Sequence, residues 1–163
     1  MQMTIKVGDR LPEATFRLMT ADGVETKTTG DIFKGKKVAL FAVPGAYTGT
    51  CHKMHVPSIF LNAYAIKDKG VDTIAIVSVN DAFVMNAWKR DTDQRDEAIF
   101  LADGNAEFTK AIGMELDGSG FGLGTRSLRY SMLVEDGVVT KLNLEPNPGK
   151  VEVSGGDTLL GQL

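Results

Sequence analysis

A continuous apolar segment, Val38–Val43, stands out from the mixed pattern of polar and hydrophobic positions around it. The absence of polar alternation is typical of a strand buried on both faces, although so short a run does not exclude a turn of buried helix. Asp72–Val79 and Phe100–Ala102 predict two further strands. Tyr130–Val134 and Val138–Leu144 flank an Asp-Gly turn and therefore predict a β-hairpin.

Helical segments alternate with these strands. The first helix is predicted to begin near Thr50 or Cys51 and to run to Lys69. Gly70 is its stop signal, and Pro57 is expected to kink it. Shorter helices are predicted from a cap at residue 80 or 81 to about residue 89, at 106–112 and at 157–163. The region up to about residue 35 mixes turn signals with short alternating pieces, which indicates hairpins or arms.

This order of elements predicts an α/β sandwich. Strand–helix–strand–helix followed by an antiparallel hairpin gives a mixed β-sheet flanked by helices. The 163 residues contain no repeat, linker or low-complexity segment, so a single domain over residues 1–163 is expected. The hydrophobic fraction of 43% and the charged fraction of 24% are typical of a soluble globular protein.

Charge and cysteine content restrict the partners and the compartment. The net charge of −3 gives no electrostatic reason to expect nucleic acid or an anionic membrane as a partner. No apolar run approaches the length of a membrane span, and the N-terminal segment lacks the core of a signal peptide. A single cysteine cannot form an internal disulfide, which favours the reducing cytoplasm.

Three apparent cofactor or metal motifs do not satisfy their own requirements. Residues 30–36 match most of a phosphate-binding loop, but Lys37 replaces the required Ser or Thr and the segment precedes a strand. Residues 118–124 lack the glycine spacing of a dinucleotide site and predict a flexible loop or, alternatively, an active-site loop. Two histidines and one cysteine give no evident metal ligand set. We therefore expect no metal and no cofactor.

The only cysteine, Cys51, lies at the predicted start of a helix. Free cysteines are commonly buried as small hydrophobic side chains without chemistry. A thiol in the first helical turn, however, faces unpaired N–H groups and the positive end of the helix dipole, which favour the thiolate. The Thr48 hydroxyl is close enough to contact the sulfur or its target, and Pro44 can shield the site from water. Position alone therefore favours a reactive thiol.

The spacing of these residues also carries a family resemblance. Pro44-x-x-x-Thr48-x-x-Cys51 resembles the active-site signature of the peroxiredoxins, which are thiol peroxidases with a thioredoxin-like fold. Three separated segments resemble the peroxiredoxin-5 subfamily: VPGAYT with Cys51 and the following HVP, SVNDAFVM with Trp88, and RYSM ahead of EDG. They occur in order and extend over essentially the whole chain, so the resemblance implies a one-cysteine peroxiredoxin.

The resemblance assigns roles to individual residues. It implies that the Cys51 thiolate attacks the terminal oxygen of hydrogen peroxide or an organic hydroperoxide, releases water or an alcohol and becomes a sulfenic acid. Thr48 is implied to orient the peroxide, and Arg129 to hold positive charge near the sulfur. The substrate-binding positions are Thr48, Cys51 and the two residues between them, Gly49 and Thr50, with backbone N–H groups binding the peroxide oxygens. Each role agrees with the way that cations and aligned donors stabilise negative charge.

Other residues near the signature have competing interpretations. Without the resemblance, Arg129 would be interpreted as a surface charge on a hairpin, and Arg126 competes with it for the role beside the sulfur. His55 is interpreted as a structural histidine bonded to the backbone, in preference to a general base. His52 is predicted to face solvent, and Trp88 to lie in the core or an interface.

Two departures from the family pattern bear on function. Gly49 replaces a proline that is often present in the subfamily, which loosens the loop. The segment 149–156 lacks the resolving cysteine of many relatives, so an outside thiol (glutathione, glutaredoxin or thioredoxin) must reduce the sulfenic acid.

The resemblance also implies a homodimer, with Tyr47 and Phe83 as apolar contacts. A redox-inert interaction module is the alternative, whereas dithiol exchange is excluded because only one sulfur is available.

Overall fold

The predicted apolar strand lies inside the β-sheet of the computed structural model, which describes residues 4–163. The side chains of this strand alternate between two hydrophobic clusters: Ala39 and Phe41 belong to one, and Val38 and Leu40 to the other. All four are buried, so the prediction of a strand covered on both faces is confirmed. Residues 1–3, part of the N-terminal segment predicted to lack a signal peptide, lie outside the described range.

The described strands form a seven-stranded mixed sheet and a separate two-stranded ribbon. Their bounds are β1 Thr15–Thr20, β2 Gly23–Thr28, β3 Lys37–Ala42, β4 Thr73–Ser78, β5 Ile99–Ala102, β6 Glu115–Asp117, β7 Thr125–Ser127, β8 Tyr130–Glu135 and β9 Val138–Leu144. The large sheet has the order β2-β1-β5-β4-β3-β8-β9. The neighbours β3, β4 and β5 are parallel, and the other pairs are antiparallel.

Helices cover both faces of this sheet, as the order of elements predicts. Their bounds are α1 Thr29–Phe33, α2 Val56–Asp68, α3 Ala82–Thr92, α4 Glu107–Ala111 and α5 Gly156–Leu160. Ile59 of α2, Trp88 of α3 and Leu159 of α5 belong to one hydrophobic cluster. Phe33 of α1 and Phe108 of α4 belong to the other. Within residues 4–163, no helix has the length and apolar character needed to cross a bilayer.

The N-terminal prediction of hairpins or arms is confirmed for the antiparallel pair β1–β2 but omits α1. This helix begins with a capping box, in which the Asp31 N–H donates to the Thr28 hydroxyl at 3.2 Å and the Thr28 N–H donates to the Asp31 carboxylate at 2.9 Å. A helix this short presents too little hydrophobic periodicity to be recognised in the sequence. The helix α3 extends past its predicted end at about residue 89 to Thr92.

The helix that carries the cysteine begins with two α-helical residues, 49 and 50, and then widens. Cys51–His55 form a π-helical turn, in which the Val56 N–H bonds to the Cys51 carbonyl, and α2 follows directly. Pro57 is the second residue of α2 but lies inside a continuous helical segment, where it provides no N–H for a carbonyl of the preceding π-helical turn. The helix was predicted to be disturbed at Pro57, and a π-helical turn lies directly on the N-terminal side of this proline. Such turns are frequent at functional sites.

The glycine-rich segment connects β6 to β7 and contains a 3-10 turn at Ser119–Phe121. The Gly118 N–H bonds to the Gly124 carbonyl at 2.7 Å, and the Leu123 N–H bonds to the Gly118 carbonyl at 2.9 Å. A Cβ at position 118 would lie 2.8 Å from the Leu123 Cβ, so this close approach requires glycine. The segment is a loop, as predicted, and these hydrogen bonds close it at the end of a β-ribbon.

Candidate active site

The loop that follows β3 is constrained on several sides. A Cβ on Gly45 would lie 2.6 Å from Nη1 of Arg126 and 2.9 Å from Cγ2 of Thr48, so a larger residue there would displace both side chains. Tyr47 has a φ of 62°, in the left-handed region that bulky side chains rarely adopt. Its hydroxyl donates to the Asp91 carboxylate at 2.5 Å, which anchors this conformation to α3. The loop therefore enters the π-helical turn in a defined geometry.

Cys51 is the first residue of the π-helical turn and is 1% exposed. The first helical backbone bond runs from the His52 N–H to the Thr48 carbonyl at 2.8 Å. The N–H groups of Thr50 and Cys51 precede that bond and contribute to the positive end of the helix dipole. They are available to an anion that lies beside the sulfur.

The structure brings Arg129 into contact with Cys51, although 78 positions separate them in the chain. Nη2 of Arg129 donates to the Cys51 sulfur at 3.1 Å. Nη1 lies 2.9 Å from Nδ1 of His55, and Nε donates to the Pro148 carbonyl at 2.9 Å. The guanidinium is therefore held at three points, and the side chain is only 2% exposed. The sulfur accepts a charge-assisted hydrogen bond from a fixed donor.

The surroundings of Arg129 leave its charge without a carboxylate partner. Among residues 4–163 the ion pairs involve other side chains. A buried cation without an opposing charge is strongly disfavoured. His55 does not add a second cation, because burial and the nearby Arg129 charge lower the pKa of His55 to about 4. The sulfur of Cys51 is the acidic group that the guanidinium touches.

His55 connects this pair to the C-terminal part of the chain. Its ring is fully buried, and Nε2 lies 2.8 Å from the Ser154 carbonyl. Because a guanidinium can only donate, Nδ1 of His55 accepts from Arg129 and Nε2 carries the proton that is donated to Ser154. The interpretation of His55 as a structural histidine bonded to the backbone is confirmed. With both nitrogens in use, the ring is not available as a base.

The other predicted site residues lie around the sulfur in different roles. The half-buried Thr48 donates its hydroxyl proton to the Gly45 carbonyl at 2.7 Å, so its oxygen remains free to accept. The Thr50 hydroxyl donates to the Gly149 carbonyl at 2.8 Å, which leaves the backbone N–H as the group that can serve a ligand. Gly49 is exposed, and a Cβ there would meet no atom within 4 Å. Steric crowding therefore does not require glycine at that position.

Arg126 reaches the same loop but contacts a different residue. Its Nη1 donates to the Pro44 carbonyl at 3.3 Å, and its Nε donates to the Leu123 carbonyl at 3.0 Å. Arg126 thus joins the glycine-rich ribbon to the loop at Pro44. Of the two arginines considered from the sequence, the one that contacts the sulfur is Arg129.

An aromatic cluster beside the cysteine was missed from the sequence. The prediction that His52 faces solvent is wrong: its half-buried ring accepts a hydrogen bond from Nε1 of the buried Trp88 at 2.9 Å and stacks on Tyr47 with ring centroids 5.6 Å apart. The pKa of Tyr47 is raised, mainly by the hydrogen bond to Asp91 and to a smaller extent by burial. Because 36 positions separate His52 from Trp88, no local pattern could reveal the contact.

A cleft of about 460 Å³ opens beside Thr48 and Arg129, and the buried Cys51 lies behind its lining. Its lining includes the site residues Pro44, Thr48, Gly49, Thr50 and Arg129. The same lining includes apolar side chains from Leu116, Phe121, Leu123 and Pro148. A small molecule with a polar reacting group and an apolar substituent fits such a surface. A separate depression of about 250 Å³ beside Phe83 contains none of these residues.

Comparison with known proteins agrees with this arrangement. Residues 6–160 match the model of the Redoxin family. This chain belongs to the Redoxin family. Among peroxiredoxins, it is similar to reduced Prx3 from Vibrio vulnificus in complex with hydrogen peroxide, with 49% identity, a TM-score of 0.92, and coverage of 98% of this chain and 99% of that one. The thioredoxin-like fold predicted from the sequence is thereby confirmed.

Curated peroxiredoxins give the same result. The chloroplastic Peroxiredoxin-2E of Arabidopsis thaliana is 47% identical over 160 residues, which cover 96% of this chain and 68% of that protein. The Hybrid peroxiredoxin hyPrx5 of Haemophilus influenzae is 45% identical over 163 residues, which cover 99% of this chain and 67% of that protein. The prediction of a peroxiredoxin, and hence of a thiol-dependent peroxidase, is confirmed.

Proposed function

We propose that this peroxiredoxin reduces hydrogen peroxide and organic hydroperoxides at Cys51 and is returned to its reduced form by an external thiol. The observation that carries this proposal is the buried contact between Nη2 of Arg129 and the Cys51 sulfur, at 3.1 Å. Because the guanidinium has no carboxylate partner within the described residues, it favours the thiolate, which is the nucleophilic form of cysteine.

The contacts define the steps of the reaction. The peroxide enters the cleft, and its O–H donates to the Thr48 hydroxyl oxygen, whose own proton is used by Gly45. The thiolate attacks the terminal oxygen, so that an S–O bond forms as the O–O bond breaks. The electron pair of that bond leaves on the second oxygen, which takes a proton from water. Arg129 and the N–H groups of Thr50 and Cys51 stabilise the negative charge as it moves from sulfur to oxygen.

A stopped-flow assay tests this function directly. With purified reduced protein and hydrogen peroxide, we expect a second-order rate constant about a thousandfold above that of a small free thiol, equivalent to about 4 kcal/mol of transition-state stabilisation. Cys51→Ser should remove the reaction entirely because the nucleophile is absent. A wild-type rate no higher than that of the free thiol would instead support the redox-inert interaction module.

Regeneration requires a thiol from outside the chain, because Cys51 is the only cysteine. We propose glutathione, glutaredoxin or thioredoxin for this step, and turnover assays with each reductant in turn would identify the one that sustains the reaction. The single cysteine also supports a cytoplasmic location, because the reducing cytoplasm keeps a free thiol reduced. Cell fractionation of the full-length protein would test that location.

We further propose that the protein forms a homodimer through the surface that contains Tyr47 and Phe83. Tyr47 and Phe83 are 43% and 69% exposed, and α3 contains Phe83 and also Asp91, which anchors the Tyr47 ring. Burial of this apolar surface against a second copy would brace the loop ahead of Cys51. Light scattering should therefore give twice the 17.6 kDa mass of one chain.

Charge substitutions locate the interface. Phe83→Glu should lower the mass to that of one chain, whereas Leu61→Glu, at an 86% exposed position on α2, should leave the dimer intact. A monomer of wild-type protein at high micromolar concentration would contradict the proposal.

A further inference from the structure

The segment after β9, residues 145–154, wraps around the site and is called the 145–154 loop below. The N–H of Glu145 donates to the carbonyl of Arg129 at 3.0 Å, and the carbonyl of Pro148 accepts from Nε of the same arginine at 2.9 Å. The carbonyl of Gly149 accepts the Thr50 hydroxyl at 2.8 Å.

A fourth contact lies at the far end of the loop, where the Ser154 carbonyl accepts from Nε2 of His55 at 2.8 Å. Backbone atoms of one loop thus hold three side chains of the site: Arg129, Thr50 and His55. The orientation of the guanidinium toward the sulfur depends on where those carbonyls are held.

One carboxylate joins the two ends of this loop. Oε2 of Glu145 accepts from the N–H groups of Glu152, Val153 and Ser154 at 2.9, 2.9 and 2.8 Å, and from the Ser154 hydroxyl at 2.6 Å. Glu145 is 3% exposed. Burial alone would raise the pKa of Glu145, but the bonds from Ser154, Val153 and Glu152 outweigh it and hold the pKa below its usual value. The carboxylate is therefore charged, and its four hydrogen bonds are of the strong, charge-assisted kind.

We propose that Glu145 is a positioning residue for the peroxidatic cysteine. Its buried carboxylate closes the 145–154 loop and thereby keeps the side chains of Arg129 and His55 in the positions from which Arg129 contacts the Cys51 sulfur. The other hydrogen bonds within the loop are local, from the N–H groups of Gly149 and Lys150 to Asn147. They do not connect residue 145 to residues 152–154. Without the carboxylate, Ser154 loses its link to residue 145, and the remaining link on that side runs from the Gly156 N–H to the Ser58 hydroxyl at 3.1 Å. The His55 ring, which supports Nη1 of Arg129, is then held less firmly.

The role of Glu145 rests on the proposed function only for its effect on rate. Its effect on the charge state of the sulfur requires no peroxide at all. The two readouts therefore separate an error about Glu145 from an error about the peroxidase reaction.

The test removes the negative charge of Glu145 while keeping the shape of its side chain. Glu145→Gln retains an acceptor oxygen but loses the ionised carboxylate, and the matched control is Glu152→Gln, which removes an exposed charge from the same loop. Three quantities are measured at a temperature well below unfolding: thiolate absorbance of Cys51 against pH, the peroxide rate constant, and amide hydrogen exchange at residues 152–154.

For Glu145→Gln we expect faster exchange at 152–154 and a thiolate titration that moves to higher pH by about one unit, a tenfold loss of thiolate preference. The peroxide rate constant should fall about tenfold as well, the same free-energy change expressed in a rate. Glu152→Gln should match wild type in all three. Should the wild-type protein reduce no peroxide, the thiolate titration would still report on Glu145.

A purely structural role would lower the unfolding temperature of Glu145→Gln and leave the titration and rate constant within about twofold of wild type. That result would overturn the proposal. If Glu145→Gln does not fold, Ser154→Ala provides the second variant. It removes the 2.6 Å hydroxyl bond and keeps the carbonyl that His55 uses. It should move the titration and the rate in the same direction by a smaller amount, and an unchanged titration would again refute the proposal.

Discussion

Replacement of Arg129 by methionine is expected to slow peroxide reduction by about 100- to 1,000-fold, the loss that follows removal of one aligned donor in an active site. Methionine retains much of the side-chain length but provides neither the charge nor the bond from Nη2 to the Cys51 sulfur. The thiolate therefore loses its counter-charge, and the departing oxygen loses a donor. Stopped-flow rate constants with hydrogen peroxide, measured across a range of pH, separate these two losses.

Two further variants control for folding and for the choice of arginine. Arg129→Lys keeps a positive charge but cannot contact Cys51, His55 and Pro148 together, so an intermediate rate is expected. Arg126→Met removes the bond to the Pro44 carbonyl and should have a milder effect. If Arg126→Met were damaging and Arg129→Met silent, the assignment of the arginine beside the sulfur would be wrong.

In the absence of any thiol, the protein should consume one equivalent of peroxide and then stop. The sulfenic acid at Cys51 has no second cysteine to form a disulfide with, so it can only persist, react with an outside thiol or oxidise further. Mass spectrometry after excess peroxide should show added oxygen at Cys51. With glutathione present, a mixed disulfide should appear instead, and a second thiol should release it.

A disulfide between two Cys51 residues of different chains is the competing outcome. The cysteine is 1% exposed and lies within the first helical turn behind the β3 loop, which places it poorly for contact with its counterpart. Non-reducing electrophoresis after one equivalent of peroxide distinguishes the two products. A quantitative covalent dimer would refute the one-cysteine mechanism.

The elements that the sequence predicts well are those whose pattern is local. The apolar run of β3 and the two strands around Asp136-Gly137 can be identified from hydrophobicity and turn residues alone. The π-helical turn cannot, because Pro57 indicates only that a regular helix is disturbed and does not indicate that the backbone widens over residues 51–55.

The residues of the site likewise differ in whether a local pattern reveals them. Cys51 at a helix start indicates a reactive thiol from local physics, whereas Arg129 on its own would be interpreted as a surface charge. Its position next to the sulfur depends on pairing between β3 and β8, a long-range feature without a local signal. The family resemblance assigned the role of Arg129 without predicting this pairing. Glu145 gave no signal in the sequence, because a lone acidic residue beside a proline resembles an ordinary exposed turn.

The contact between His52 and Trp88 makes intrinsic tryptophan fluorescence sensitive to the structure of the π-helical turn. Trp88 is the only tryptophan in the chain, and its indole N–H donates to a histidine that is adjacent to Cys51 in the same π-helical turn. Indole emission responds to hydrogen bonding and to the polarity of its surroundings. Because the chain also contains three tyrosines, excitation at the red edge of the absorption band selects the indole. Fluorescence of the unlabelled protein then reports a rearrangement of the turn that changes the contact with His52.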